Sequence, residues 1–116
     1  MKRSLISAAA LLATLLIMGN QSTAADRVVK CQIDTRYKGT CVFISGGGGS
    51  FSLSNPDKSK PLVESITIVS VSIIEKGVAD VRGLTTDGIN SRWGTAKRSS
   101  KDGGCWDGAD FRVCAW

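Results

Sequence analysis

Four bases, Arg92, Lys97, Arg98 and Lys101, accompany Trp93 in the stretch from Ser91 to Lys101, which contains no acid. Guanidinium and ammonium groups beside serine hydroxyls are donors for carboxylate, phosphate or sulfate, and an indole adds apolar contact area. A strand through the stretch sends Arg92 and Trp93 to opposite faces, which also suits an ordinary arrangement with Trp93 in the core and Arg92 in solvent. A second group of interest is acidic: Asp102, Asp107 and Asp110 lie close together around Trp106. Paired carboxylates beside an aromatic ring are the equipment of a glycoside hydrolase, with Asp107 or Asp110 as the working group. Asp102 and Asp107 each precede glycine, however, which is the usual place for aspartate in a turn.

Histidine is absent from the chain. Its absence removes the commonest general base near neutral pH, and with it Ser-His-Asp, Cys-His and histidine-metal mechanisms. Neither pair among Cys31, Cys41, Cys105 and Cys114 has the CxxC spacing of a zinc site. The Asp102–Asp110 segment also lacks the alternating oxygen ligands of a calcium loop. Gly46 to Gly49 is followed by neither Gly-Lys-Ser/Thr nor a helical pattern, so it reads as a mobile hairpin tip suited to partner contact, not as a phosphate cradle. The chain is therefore expected to be non-catalytic, with no metal and no cofactor.

The beginning of the sequence bears on compartment. Lys2 and Arg3 precede an uncharged apolar run from Leu5 to Met18, followed by polar residues and then Ala24 and Ala25. That order is an n-region, an h-region and a small-residue cleavage site, and the apolar run is shorter than the roughly 20 residues of a membrane-spanning helix. Residues 1–25 are expected to be a cleaved secretory signal and residues 26–116 a single periplasmic or secreted domain. Val28, Val29 and Lys30 do not suit lipoprotein processing at Cys31, so no stable membrane anchor is expected. Removing Lys2 and Arg3 leaves 13 bases against 10 acids, a formal charge of +3. Such mild basicity outside the cytoplasm gives no reason to expect a nucleic-acid partner.

The elements that position these groups are short. Apolar residues alternate with polar ones in β-branched runs, which predicts strands near Arg27–Ile33, Thr40–Ser45, Ser50–Ser54, Glu64–Ile74, Val78–Leu84, Ile89–Lys97 and Asp110–Ala115. Turn residues separate them at Lys38-Gly39, Gly46 to Gly49, Asn55-Pro56-Asp57, Lys76-Gly77, Asp87-Gly88 and Asp102-Gly103-Gly104. A three-residue loop at Glu75-Lys76-Gly77 sets Ile73 opposite Ala79, Val71 opposite Val81 and Val69 opposite Gly83, with Ser72 facing Asp80 and Ser70 facing Arg82. This register separates apolar from polar faces and places Gly77 where a bulge needs a left-handed residue. Val69, Val71, Ile73, Ala79 and Val81 are thus expected in the core.

An even cysteine count in a small exported chain implies two disulfides. Local pairing, Cys31 with Cys41 and Cys105 with Cys114, is favoured over the two other connectivities. The second bridge requires a loop centred on Ala109-Asp110, which puts Trp106 opposite Val113 and Asp107 opposite Arg112. Trp116 is expected to pack against the domain.

The expected fold is all-β, a small antiparallel barrel or sandwich of about seven short strands stapled by two disulfides. In size, export and disulfide use the chain resembles small bacterial envelope proteins, including β-rich periplasmic inhibitors of lysozyme, in architecture only and without their diagnostic motifs. A basic domain is electrostatically ill matched to a strongly basic enzyme. The leading functional expectation is a binding domain that recognises an anionic envelope polymer or lipid, or a partner protein, through Arg92, Trp93, Lys97, Arg98 and Lys101. The alternatives are an inhibitor that presents the Gly46–Gly49 or Asp107-Gly108 loop to a hydrolase cleft, and a small carboxylate-dependent hydrolase.

Overall fold

The computed structural model describes residues 26–116, so the expected signal segment, 1–25, lies outside the described residues. Eight strands follow in order: β1 (Arg27–Ile33), β2 (Tyr37–Gly47), β3 (Ser50–Ser54), β4 (Ile66–Glu75), β5 (Val78–Thr85), β6 (Asn90–Arg98), β7 (Cys105–Asp107) and β8 (Arg112–Ala115). Each pairs antiparallel with the next, and β8 returns to β1 to close a barrel. The closing seams are short, β6 meeting β7 only at Lys97 and Arg98 and β1 meeting β8 only from Cys31 to Ile33, so the rest of β6 pairs with β5 alone.

β1 and β3 have the bounds expected from alternation. The strand absent from the sequence reading is β7, whose three residues are too few to show a period of two. Lys38-Gly39 is not a turn; both residues lie within β2, opposite Gln32 and Cys31. The chain instead reverses over Asp34–Arg36, with Asp34 in the left-handed region at φ 50°. β4 likewise starts at Ile66 rather than Glu64, because Glu64, also at φ 50°, turns the chain between Val63 and Ile66. Neither reversal carries a glycine to announce it.

The β4–β5 register is the expected one from Val69↔Gly83 through Ile73↔Ala79, and Gly77 is left-handed at φ 75°. Val69, Val71, Ala79 and Val81 are fully buried, while Ile73 is half-buried against the same cluster. Inward residues from the other strands, among them Ile33, Leu53, Ala96, Trp106 and Val113, complete a filled interior. Leu62 and Val63, from the long β3–β4 connection, tuck beneath one end of it. Outward positions on β3 to β6 carry Ser52, Ser54, Ser70, Ser72, Arg82 and Arg92, whereas a barrel that spans a membrane needs an apolar outer band.

Both local disulfides form. Cys31–Cys41 joins β1 to β2 within the core, and Cys105–Cys114 joins directly opposed residues of β7 and β8. The register around the second bridge is Trp106↔Val113 and Asp107↔Arg112, as the wider loop requires. Trp106 and Val113 face inward, so this bridge lies on the other face of the sheet. Two disulfides fit an extracellular or periplasmic environment.

Candidate functional site

An up-and-down barrel sorts its connections into two sets. The β1–β2, β3–β4, β5–β6 and β7–β8 connections gather at one end, and the β2–β3, β4–β5 and β6–β7 connections at the other. The first set carries Asp34, Asp57, Glu64, Asp87 and Asp110 against Arg36, Lys58 and Lys60. This is the acidic end. The second contains Gly48, Gly49, Gly77, Gly103 and Gly104, and its charges are Lys76, Lys101 and Asp102, with Glu75, at the end of β4, and Arg98, at the end of β6, adjoining. This is the glycine end.

At the acidic end a cleft of about 380 Å³ is lined by Asp34, Arg36, Glu64, Arg92, Trp93, Asp110 and Phe111. Arg36 organises it: Nε and Nη2 donate to Asp34 Oδ2 at 3.1 and 2.7 Å, and Nη1 donates to Glu64 Oε1 at 3.0 Å. Partial burial opposes the guanidinium charge, but the two carboxylates outweigh it and hold the Arg36 pKa above its ordinary value. Asp34 is itself fixed, since Oδ1 accepts the Arg112 N–H at 2.6 Å. The guanidinium lies 5.7 Å from the Trp93 ring, which meets Phe111 edge-on at 5.8 Å. Trp93 sits in a bulge of β6, opposite the step from Val81 to Arg82, and its ring occupies the space above Gly83, where a Cβ would come within 2.8 Å. Phe111 packs still more closely on Gly108.

At the glycine end a pocket of about 400 Å³ is lined by Gly48, Gly49, Ile73, Lys76, Gly77, Arg98 and Trp106. Its walls are mostly hydrocarbon, with Lys76 and Arg98 supplying charge. The hairpin wall comprises three successive left-handed glycines, Gly47, Gly48 and Gly49, at φ 85°, 64° and 90°. Arg98 lies over the Trp106 ring at 4.8 Å and donates to the Gly103 carbonyl at 3.3 Å. Among the described residues, Lys76, Lys97, Arg98 and Lys101 form no ion pair.

The barrel divides the basic stretch. Arg92 and Trp93 belong to the acidic end, where Arg92 is bound to Asp80 at 2.6 Å beside Arg82 at 3.1 Å. Lys97, Arg98 and Lys101 lie toward the glycine end, with Lys97 across from Asp107. Five residues of strand separate Arg92 from Lys97, about 17 Å at the usual rise. The Gly46–Gly49 and Ala109-Asp110 loops occupy opposite ends, so one cleft cannot receive both.

The three acids around Trp106 have separate commitments. Asp102 accepts from the Gly104 N–H and from the Trp116 indole, and these bonds, in that order of weight, hold its carboxyl below the usual range. That is opposite to the direction a general acid needs. Asp107 is paired with Arg112 at 3.1 Å, and Asp110 lines the acidic cleft. Among the described residues, no cluster of three acidic or sulfur side chains is arranged to hold a metal ion.

Sequence reasoning missed Arg36, Glu64 and Lys76 as site residues. For Lys76 the signal was present, because the well-determined β4–β5 hairpin fixes which end its turn occupies. Fold and site together define a small disulfide-bonded, up-and-down β-barrel with an ion-paired cleft at its acidic end and a pocket at the other whose bases form no ion pair among the described residues. No protein-family model, curated protein or solved structure matches the chain.

Proposed function

We propose that this protein is a non-catalytic binding domain that takes an anionic envelope component at its glycine end. The carrying observation is the pocket in which Arg98 and Lys76, free of carboxylate partners among the described residues, stand at hydrocarbon walls formed by Ile73 and Trp106. A cation without a carboxylate partner keeps its charge and its remaining donors for a ligand, and an adjacent apolar wall excludes water from the contact. The mouth of a barrel is a common ligand position. Arg92, bound to Asp80, and Trp93 lie toward the other end, so the binding set becomes Lys76 and Arg98 at the pocket, with Lys97 and Lys101 toward the same end of the barrel.

The test is a titration of the oxidised protein with sulfated dextran and with phosphatidylglycerol vesicles, repeated for Lys76→Gln/Arg98→Gln. At least tenfold weaker binding by the double variant, with an unchanged far-UV spectrum, is expected for whichever probe binds. Affinity should also fall as salt rises. Equal affinity of variant and wild type removes the assignment.

One observation favours a second reading, inhibition of a hydrolase by the hairpin tip. Gly47 and Gly48 have open space where a Cβ would stand, so the tip is free to enter a cleft. Tight binding to a hydrolase that survives high salt and is lost on lengthening the tip would move this reading to first place.

A further inference from the structure

Trp116 runs beside β1, its backbone N–H donating to the Lys30 carbonyl at 2.9 Å. Lys30 is opposite Thr40 on β2, so Trp116, Lys30 and Thr40 form one row across three neighbouring chain segments, about 10 Å wide at the usual spacing. With Lys38 and Gly39 they line a groove of about 370 Å³, distinct from the pocket at Trp106.

The indole in this groove is exposed but held. It keeps 49% of its surface in solvent, yet its N–H points at both oxygens of Asp102, at 3.0 and 3.1 Å. Gly104 lies against its pyrrole edge so closely that a Cβ there would come within 2.8 Å. A large aromatic ring fixed in place and left half uncovered offers contact area without the entropy cost of ordering it on binding. Its polar handle is already used by Asp102, so a ligand meets the ring itself. The two flanking ammonium groups, Lys30 and Lys38, are exposed and form no ion pair among the described residues.

We infer that this groove binds a ring of an acidic polysaccharide, which deepens the reading of the glycine end as an anion-binding surface and rests on it. The C–H face of a pyranose packs on the Trp116 ring, its carboxylate or sulfate group meets Lys30 and Lys38, and a ring hydroxyl reaches Thr40. A lipid chain needs an enclosed apolar channel, whereas this groove is an open surface feature lined by the Trp116 ring and the hydrocarbon stems of Lys30 and Lys38, whose charged ends stay in solvent. The same Ser99–Gly104 connection that supplies Asp102 to Trp116 also carries Lys101 and offers the Gly103 carbonyl to Arg98. A polymer crossing it therefore meets this groove and the pocket of the glycine end in succession.

The experiment is a calorimetric titration of the oxidised protein with polygalacturonate oligomers, with phosphatidylglycerol vesicles as the competing source of anionic charge. Trp116→Ala and, separately, Lys30→Gln/Lys38→Gln should each weaken oligomer binding at least tenfold, and the lysine variant should also flatten its salt dependence. Trp116→Phe, which keeps a ring, should remain within about threefold of wild type, and it carries the test together with the lysine variant if Trp116→Ala does not fold. Wild-type affinity in the lysine variant or in a folded Trp116→Ala overturns the inference, as does binding to vesicles with none to the oligomers, or no binding to either. Loss in Lys76→Gln/Arg98→Gln with none in the groove variants leaves the glycine-end pocket standing and the groove assignment refuted; the reverse pattern supports the groove and refutes the pocket.

Discussion

The two ends of this barrel each seat an arginine against a tryptophan, and they use the charge differently. Arg36 faces Trp93 while bound to Asp34 and Glu64, and both of those carboxylates sit on left-handed backbone that the surrounding contacts must hold. Arg98 faces Trp106 with no carboxylate, on an end whose tip is built from glycines that take the same backbone region at no steric cost. The Arg36 charge is thus consumed in building the acidic end itself. At the glycine end Lys76, Arg98 and Lys101 are in no ion pair among the described residues. Paired charges that close a loop contribute to architecture, and unpaired ones beside an apolar wall are the ones to test for binding.

The largest effect that would sharpen the contrast is steric. Gly83→Val pushes a side chain into the Trp93 ring, which Phe111 and Arg36 hem in, and should cost about 3 kcal/mol, an amount typical of overpacking. A thermal melt should show Tm falling by more than about 12 °C. Gly103→Ala at the other end meets nothing within 4 Å and should leave Tm nearly unchanged. Equal responses would break the contrast.

The next effect is electrostatic. Arg36→Met leaves Asp34 and Glu64 without their shared partner and should cost about 1–2 kcal/mol in urea denaturation, a range kept low because the guanidinium is 36% exposed. Arg98→Gln should stay within about 0.5 kcal/mol of wild type. A smaller cost, about 1 kcal/mol, is expected for Gly48→Ala, because its φ of +64° strains an L side chain even in open space.

The smallest effect is a pH response at Asp102. Its folded pKa lies below the unfolded value because the Gly104 and Trp116 N–H groups favour the carboxylate. The contribution is therefore fully present above about pH 4 and is lost as pH falls through the folded value. Trp116 should report the loss as a change in emission under acid, and Asp102→Asn should abolish that change. An emission shift that persists in Asp102→Asn would show that Trp116 responds to another group.

Particular residues show what was readable in advance. The β4–β5 register was legible because a slip of one residue would have set Val71 against Arg82, so burial itself selects the pairing. The Cys105–Cys114 register was legible because two opposed sulfurs admit few loops. β7 was not, since its strand character comes from its neighbours' hydrogen bonds. The turns at Asp34 and Glu64 were hidden for a related reason: their left-handed backbone is sustained by Arg36 and Arg112, residues that a local reading does not connect with them.

The sequence by itself determined an all-β domain with two disulfides and favoured their local pairing, since period-two alternation, turn residues and cysteine spacing are local properties. Only the tertiary structure decided which charges are free. Asp80 takes Arg92 from the basic stretch, the turn at Lys76-Gly77 brings a new base beside Arg98, and the Ser99–Gly104 connection fixes Trp116 beside Lys30. Those pairings depend on which strands closure makes adjacent, and an interaction that acts over a few ångströms is set by that adjacency and not by position along the chain.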